Sequence, residues 1–293
     1  MKIVCAIDGS RYSEWSLDWL RKFCARDTSS LLLVHAVDMT QFKTLAKRDP
    51  KTRSALVKVL ECSLEGAARL LEGAEVKAAK TWRNVQAKLL RGRPTDVIAR
   101  SAKRERADLL VIGSRGVTEF HPMLLGSVSR MVLMQAPCPV LVVKKPASRL
   151  KRVVLGADGS VESWEAATWL KQLPGEIRPA VTVASVIPPL PLEGIRVPAQ
   201  ALAVSDQIQG VLRRETQQLA TRVAGLLRKG GFPSNGIVLS GPPGAELVKL
   251  ARCEEANLVV VGSRSRGAQE YFMGSIADTV VKHAPCSVLV HRE

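Results

Sequence analysis

The sequence predicts an α/β protein made of two tandem doubly wound domains, each with a parallel sheet flanked by helices. Three observations lead to this fold class. Landmarks of the first half recur in the second half, short apolar β-branched runs alternate with stretches of helical period, and the apolar runs have no polar face. Strands that are apolar on both faces and joined by helical crossovers are typical of parallel sheets covered by helices on each side.

The repeat keeps its order and nearly keeps its spacing. Four landmarks of the first copy recur at offsets of 150, 150, 149 and 148 residues; they are Asp8-Gly9-Ser10, Trp19-Leu20, the run 108–115 and the run 136–142. A series of this kind indicates a tandem duplication. We therefore place domain 1 at residues 1–146 and domain 2 at residues 150–293, each near the most common domain size.

Within each copy, the apolar runs and helical periods predict the order β-α-β-α-β-α-β-α-β. The predicted elements of the first copy are strands near 2–7, 30–37, 84–91, 108–113 and 138–143, and helices near 11–25, 51–78, 94–106 and 126–135. Those of the second copy are strands near 152–157, 180–187, 236–240, 257–262 and 286–291, and helices near 161–172, 205–229, 243–254 and 274–283.

Asp8 ends the first predicted strand, and in open α/β sheets ligands collect beyond the carboxyl ends of the strands. Its carboxylate is able to accept hydrogen bonds from ribose hydroxyls or from a base amine. Asp-Gly-Ser is also common turn chemistry, with Ser10 as a helix cap. Both interpretations stay open at this stage.

A second motif follows the fourth predicted strand: Gly113-Ser-Arg-Gly116, nine further residues, and then Gly126-Ser127 at the start of a helical run. Glycine at a strand end lets the backbone turn sharply and approach a ligand closely. The exposed amides and positive dipole end of a helix N-terminus favour a phosphate. The Ser127 hydroxyl adds a donor, and Arg115 supplies charge.

These residues resemble the universal stress protein family, whose ATP-binding signature is G-x2-G-x9-G-[ST]. Gly113, Gly116, Gly126 and Ser127 match that signature in spacing and type, and Asp-Gly-Ser after the first strand and the run from Ala136 to Val143 also look like the family. The resemblance covers both copies, as in the tandem-type members. It implies a five-stranded sheet of order 3-2-1-4-5 in each domain, with ATP between the first and fourth strands.

The resemblance also implies roles for individual residues. Asp8 is expected to contact the adenosine, and the backbone at Ala36 is expected to contact adenine. The glycine loop and Ser127 are expected to hold the phosphates, assisted by Val128 and Ser129, with Mg²⁺ accompanying the nucleotide.

The second copy departs from the signature. Aligning Gly262 with Gly113 places Ser265 where Gly116 stands, and only eight residues separate Ser265 from Gly274. This degenerate motif predicts that nucleotide is held mainly in domain 1. The candidate residues of a second site are Asp158, Val186, Gly262, Gly267, Gly274 and Ser275. Whether they bind nucleotide stays open, the alternative being a retained fold that pairs with domain 1.

That pairing is itself a prediction. The last strands, Val140–Val143 and Val288–Val290, are apolar and are expected at sheet edges, which are prone to association. In single-domain relatives the last strands pair across a dimer, so the resemblance implies a covalently joined pseudo-dimer. Further self-association to a homo-oligomer is left open.

Composition limits the other classes. The net charge of +16 is concentrated in residues 1–150, which carry +13. Aromatic residues, however, make up only 4% of the sequence, and no zinc-finger or RNP pattern appears. Binding of nucleic acid is therefore not favoured. The cysteines form no CxxC pair and the histidines no HExxH motif, so no protein-ligated metal is expected. No apolar run approaches the ~20 residues of a membrane span, and the first residues are typical of a strand, so we expect a cytoplasmic protein.

The favoured function is an ATP-binding regulatory protein of the stress response. A slow ATPase is the first alternative, limited to weak hydrolysis because the sequence lacks GxxxxGK[ST] and GxSxG and shows no general base beside the loop. A polyanion-binding or scaffolding module is the second. It rests on basic residues around the third predicted helix, namely Arg91, Arg93, Arg100, Lys103, Arg104 and Arg106.

Overall fold

A computed structural model describes residues 1–24, 28–40, 42, 44–45, 53–116, 125–147, 149–189, 199–263 and 273–292. The predicted helix end at 25 and the predicted helix start at 51 lie outside these residues. The chain divides into two compact units, Met1–Ser148 and Arg149–Arg292. We refer to them as domain 1 and domain 2.

Domain 1 alternates strands and helices as the sequence predicts. Its strands are β1 (Lys2–Ala6), β2 (Ser30–Val37), β3 (Asn84–Arg91), β4 (Leu109–Gly113) and β5 (Val140–Val143), and its helices are α1 (Arg11–Phe23), α2 (Arg53–Ala79), α3 (Pro94–Glu105) and α4 (Ser127–Gln135). The strands are parallel and lie in the order β3-β2-β1-β4-β5. The expected order 3-2-1-4-5 is therefore confirmed.

Domain 2 repeats this topology. Its strands are β6 (Arg152–Gly156), β7 (Ala180–Ile187), β8 (Ser234–Ser240), β9 (Leu258–Gly262) and β10 (Ser287–His291), and its helices are α5 (Val161–Leu170), α6 (Ala199–Lys229), α7 (Pro243–Cys253) and α8 (Ser275–His283). The parallel order is β8-β7-β6-β9-β10. The fold class predicted from the repeat holds in both copies.

The cores explain why the strands read as continuous apolar runs. The side chains at the centre of each sheet are fully buried. Exposure is 0% for Leu109, Leu110 and Val111 of β4 and for Leu258, Val259 and Val260 of β9. Burial of a Val or Leu side chain contributes about 1.5–3 kcal/mol, so these central strands anchor both sheets. Helix α1 packs through one apolar face, which buries Trp19, Leu20 and Phe23. The pairing of β1 with both β2 and β4 fixes the carboxyl ends of these three strands relative to one another.

Two strand boundaries differ from the sequence prediction by more than one residue. Strand β5 begins at Val140 and not at residue 138, because Pro139 has no N–H to donate to a ladder. Strand β8 begins at Ser234 and not at residue 236, so Gly236 lies inside the strand. A Cβ on Gly236 would lie 2.6 Å from the carbonyl of Ala220, so this glycine lets α6 approach the sheet and does not mark a turn.

In the described part of the chain, no helix combines the length and the apolar character needed to cross a membrane.

Candidate functional site

Asp8 follows β1 and belongs to a tight turn that opens α1. Gly9 has φ +80°, and Oδ1 of Asp8 accepts a 3.0 Å hydrogen bond from the Ser10 amide. The Ser10 hydroxyl in turn accepts from the Ser13 amide at 3.3 Å and caps the helix. Oδ1 of Asp8 therefore serves the turn. Oδ2 faces another segment of the chain.

That segment is the glycine loop after β4. A Cβ placed on Gly116 would lie 2.9 Å from Oδ2 of Asp8, so the second glycine of the motif lies against the carboxylate. The Ser10 hydroxyl donates to the Arg115 carbonyl at 3.4 Å and ties the loop to the start of α1. The carboxyl ends of β1 and β4 thus bring both sequence motifs together, although residues 117–124 lie outside the described part.

Gly113, the first glycine of the motif, is needed for packing. A Cβ at this position would lie 2.7 Å from Cβ of Tyr12, so only glycine lets α1 lie against the end of β4. The Tyr12 hydroxyl accepts hydrogen bonds from Arg115 at 3.0 Å and from Arg11 at 3.2 Å. The guanidinium carbons of Arg115 and Arg11 lie 5.6 and 5.1 Å from the centroid of the ring.

Tyr12 and Arg11 were absent from the sequence-based site. The available signal was their place directly after Asp-Gly-Ser, where the first turn of α1 faces the loop. Together with Arg115 they give this edge of domain 1 two positive charges held on one aromatic ring. Such a pair favours an anionic ligand nearby.

Helix α4 begins at the second half of the motif. Gly126 is its N-cap, with φ −60° and ψ 148°, and its amide donates to the Ser114 carbonyl at 2.8 Å. Ser127 is exposed, Val128 is half-buried, and no acidic residue lies in the first turn. The buried Ser129 hydroxyl donates to the Gly113 carbonyl at 2.7 Å, so this hydroxyl is engaged in holding α4 against the end of β4.

The end of β2 supplies the third side of the site. Ala36 is half-buried and pairs in register with Leu90 of β3. The neighbouring His35 ring places Nδ1 2.7 Å from the carbonyl oxygen of Ile7, where it donates a hydrogen bond. Past the strand, hydrogen bonds from the Thr40 hydroxyl and amide, with a further contribution from the charge of Arg93, hold the pKa of Asp38 below its usual range.

Domain 2 forms the same turn at the matching place. Gly159 has φ +78°, and Oδ1 of Asp158 accepts hydrogen bonds from the Ser160 amide at 2.9 Å and from the Ser160 hydroxyl at 2.6 Å. Gly274 is the N-cap of α8, with φ −59° and ψ 150°, and Ser275 is exposed. Gly267 lies outside the described residues.

Asp158, Val186 and Gly262 line one cavity of about 480 Å³ in domain 2. Its wall continues over the start of α8 at Ile276 and along the α6 helix at Leu219. The structure therefore brings together three of the predicted second-site residues. The walls of this cavity are mainly apolar.

Metal and thiol chemistry receive no support from the described residues. Nowhere in that part of the chain do three His, Cys, Asp or Glu side chains converge on a metal position. Burial raises the pKa of the Cys5 thiol to about 12, and that of Cys24 likewise to about 12. Cys62 and Cys253 are exposed, and no disulfide joins any two of the six cysteines.

Comparison with known proteins gives a consistent result. The model of the universal stress protein family matches residues 1–144 and again 149–292. The chain is 30% identical over 314 residues to the universal stress protein Rv2623 of Mycobacterium tuberculosis, covering 99% of this chain and 96% of that protein. It is 33% identical over 146 residues to the universal stress protein MJ0531 of Methanocaldococcus jannaschii, covering 50% of this chain and 82% of that protein.

Among solved structures, a universal stress protein from Archaeoglobus fulgidus aligns with a TM-score of 0.67 at 19% identity, covering 99% of this chain and 98% of that one. At this level of identity the likeness shows the shared fold.

Proposed function

We propose, since this chain belongs to the universal stress protein family, that it is an ATP-binding regulatory protein of the stress response whose nucleotide site lies mainly in domain 1. The observation that carries the proposal is the meeting of Gly116 with the Asp8 carboxylate at the carboxyl edge of the sheet. Ligands of doubly wound sheets bind at this edge, where the strand order reverses. In the order β3-β2-β1-β4-β5, the reversal lies between β1 and β4.

Domain 1 offers hydrogen-bonding groups for both the ribose and the phosphates of a nucleotide. Asp8 offers Oδ2 to ribose hydroxyls, because Oδ1 already serves the turn. The loop from Gly113 to Gly116 and the first turn of α4 offer backbone amides to the phosphates, and Ser127 adds a hydroxyl. Arg115 and Arg11 add positive charge at the same edge, held on Tyr12.

Mg²⁺ is expected to arrive with the nucleotide. Mg²⁺ is usually held by phosphates, water and one or two carboxylates, and not by a cage built from protein side chains alone. The described residues offer no such cage, which suits a cation carried by ATP. Chelation with EDTA should therefore weaken nucleotide binding while leaving the nucleotide-free fold intact.

A regulatory role fits this site better than rapid turnover. Among the described residues around the loop, the nearby carboxylate is that of Asp8, and one of its oxygens already accepts a hydrogen bond from the Ser10 amide. A site that binds phosphates without a placed general base supports at most slow hydrolysis. Occupancy of the loop would then change the surface that domain 1 presents to a partner, which is how the nucleotide would act.

The direct test is a mass spectrum of the small molecules released when the purified protein is denatured. The proposal predicts ATP in the released fraction, with a rise in the thermal unfolding midpoint when Mg-ATP is added to the emptied protein. A protein that releases no nucleotide and shows no shift with Mg-ATP contradicts the proposal. Rapid steady-state formation of ADP would favour the ATPase alternative instead.

A further inference from the structure

The domain 2 cavity has a size and a lining typical of a small-molecule site. Its volume of about 480 Å³ falls within the roughly 300–1,000 Å³ of ligand pockets. Apolar side chains from four elements form most of its wall; they are Leu212 and Leu219 of α6, Leu247 of α7, Val261 of β9 and Ile276 of α8. A ligand in this cavity would bury apolar surface against every one of these elements.

The described lining of the cavity offers no positive charge to an anion. Among the described residues that line it, Asp158 is the one charged side chain, and it is negative. Aligning Gly274 with Gly126 places Asp278 in the first turn of α8 where domain 1 has Arg130 in α4. The Lys282 ammonium pairs with Asp278, so this turn offers no net positive charge to replace that of Arg130. A phosphate here would meet the field of Asp158, and no arginine among the described lining residues offsets it.

The cavity wall also includes a buried polar group that has no hydrogen-bond partner among the described residues. Ser185 is 1% exposed and lines the cavity, and its hydroxyl makes no hydrogen bond within the described part of the chain. The strand registers place Ser185 where domain 1 has His35, whose ring donates to the Ile7 carbonyl. Buried polar groups normally make hydrogen bonds. A hydroxyl in a cavity wall that makes none therefore indicates that a ligand in the cavity supplies its hydrogen-bond partner.

We propose that this cavity binds an uncharged, mainly apolar small molecule that carries a hydrogen-bonding group, and that domain 2 thereby senses a different class of ligand from domain 1. The apolar walls enclose the body of the ligand, Ser185 pairs with its polar group, and Asp158 accepts a hydrogen bond from a donor at the cavity mouth. The ligand class of domain 2 is argued from the lining of domain 2 alone, and only the contrast with domain 1 rests on the proposed function.

Two dyes that share one carbon skeleton test the proposal in the full-length chain. N-phenyl-1-naphthylamine is neutral and carries an N–H donor, and 8-anilino-1-naphthalenesulfonate adds one negative charge; both become fluorescent in apolar surroundings. The neutral dye should bind domain 2 with one equivalent per chain. Its affinity should exceed that of the sulfonate by about tenfold, since a like charge near Asp158 is unfavourable.

A matched pair of variants on α6 locates the binding. Leu212→Trp adds bulk to the cavity wall and should reduce the affinity for the neutral dye at least tenfold. Val211→Trp changes the neighbouring residue, which is 45% exposed and absent from the cavity lining, and should leave that affinity unchanged. Equal thermal unfolding midpoints of the two variants show that both fold.

Asp158→Asn provides the test of charge. The amide keeps an oxygen for the Ser160 turn, and the preference for the neutral dye should shrink. The proposal is overturned if the neutral dye does not bind, or if the sulfonate binds equally well or more tightly. It is also overturned if the two α6 variants bind the neutral dye with equal affinity, or if Mg-ATP displaces the dye from Gly126→Val protein. A wild-type chain without a thermal shift in Mg-ATP contradicts the domain 1 site only.

Discussion

Oδ2 of Asp8 lies 2.9 Å from the point that a Cβ atom on Gly116 would occupy. The two residues are 108 positions apart in the sequence, and the parallel pairing of β1 with β4 brings them to one edge of the sheet. A carboxylate and a bare stretch of backbone therefore form a single element of the site. Any side chain at Gly116 alters both parts at once.

Gly116→Ala tests this relationship. A contact of 2.9 Å between a methyl carbon and a carboxylate oxygen is too short, so either Asp8 or the loop must move. Because Asp8 is also held by the Ser10 amide, we expect the loop to move and the affinity for Mg-ATP to fall about tenfold, or roughly 1.4 kcal/mol. Isothermal titration calorimetry measures the change.

Gly73→Ala is the matched control. Gly73 lies in α2 with nothing within 4 Å of an added Cβ, and alanine in a helix interior stabilises by about 0.5–1 kcal/mol relative to glycine. This variant should unfold at a slightly higher temperature and bind nucleotide as the wild type does. Equal nucleotide affinities for the two alanine variants would mean that Gly116 does not form part of the site.

The helix caps of the two Asp-Gly-Ser turns give a stability prediction. The Ser160 hydroxyl accepts from the Ser163 amide at 3.2 Å and donates to Asp158 at 2.6 Å. Ser160→Ala removes both bonds and should lower the free energy of unfolding by about 1–2 kcal/mol, while Ser160→Thr should recover most of the loss. Urea denaturation measures both variants, and an alanine variant as stable as the wild type would contradict the capping role.

Thiol accessibility offers a test of the cores. Cys62 and Cys253 are exposed, whereas the other four cysteines are buried. Burial raises the pKa of Cys5 and Cys24 to about 12, which leaves little thiolate at neutral pH. Ellman's reagent should therefore modify two thiols quickly in the native chain and all six in guanidinium chloride. Rapid modification of more than two native thiols would show that a core opens readily.

Much of the fold was predictable because each level of the sequence agrees with the others. The repeated Asp-Gly-Ser, the apolar runs of β4 and β9 and the helical periods all indicate the same α/β unit twice. The errors at Pro139 and Gly236 are local. The predicted strand 138–143 ran through Pro139, which cannot donate to a ladder, and packing of α6 against β8 places Gly236 inside a strand that begins earlier.

The site was less predictable than the fold. The glycine spacing identified Gly113, but its tight contact is with Tyr12, a partner that periodicity alone does not reveal. The assistance of Ser129 to the phosphates stays a prediction, and the bond from its hydroxyl to the Gly113 carbonyl could not be read from the sequence. The exchange of His35 for Ser185 in a cavity wall becomes visible only when the registers of both sheets are known. The pairing of the last strands of the two domains stays a prediction.

The most direct test of the central claim is the thermal shift produced by Mg-ATP in two matched variants, Gly126→Val and Gly274→Val. Both glycines are N-caps with φ near −60° and ψ near 150°, so valine needs no unusual backbone at either position. Saturation at about 100 times Kd should stabilise the wild type by roughly 2.7 kcal/mol. We predict that Gly126→Val loses this shift and that Gly274→Val keeps it. Equal losses in both variants, or a loss confined to Gly274→Val, would contradict a nucleotide site in domain 1.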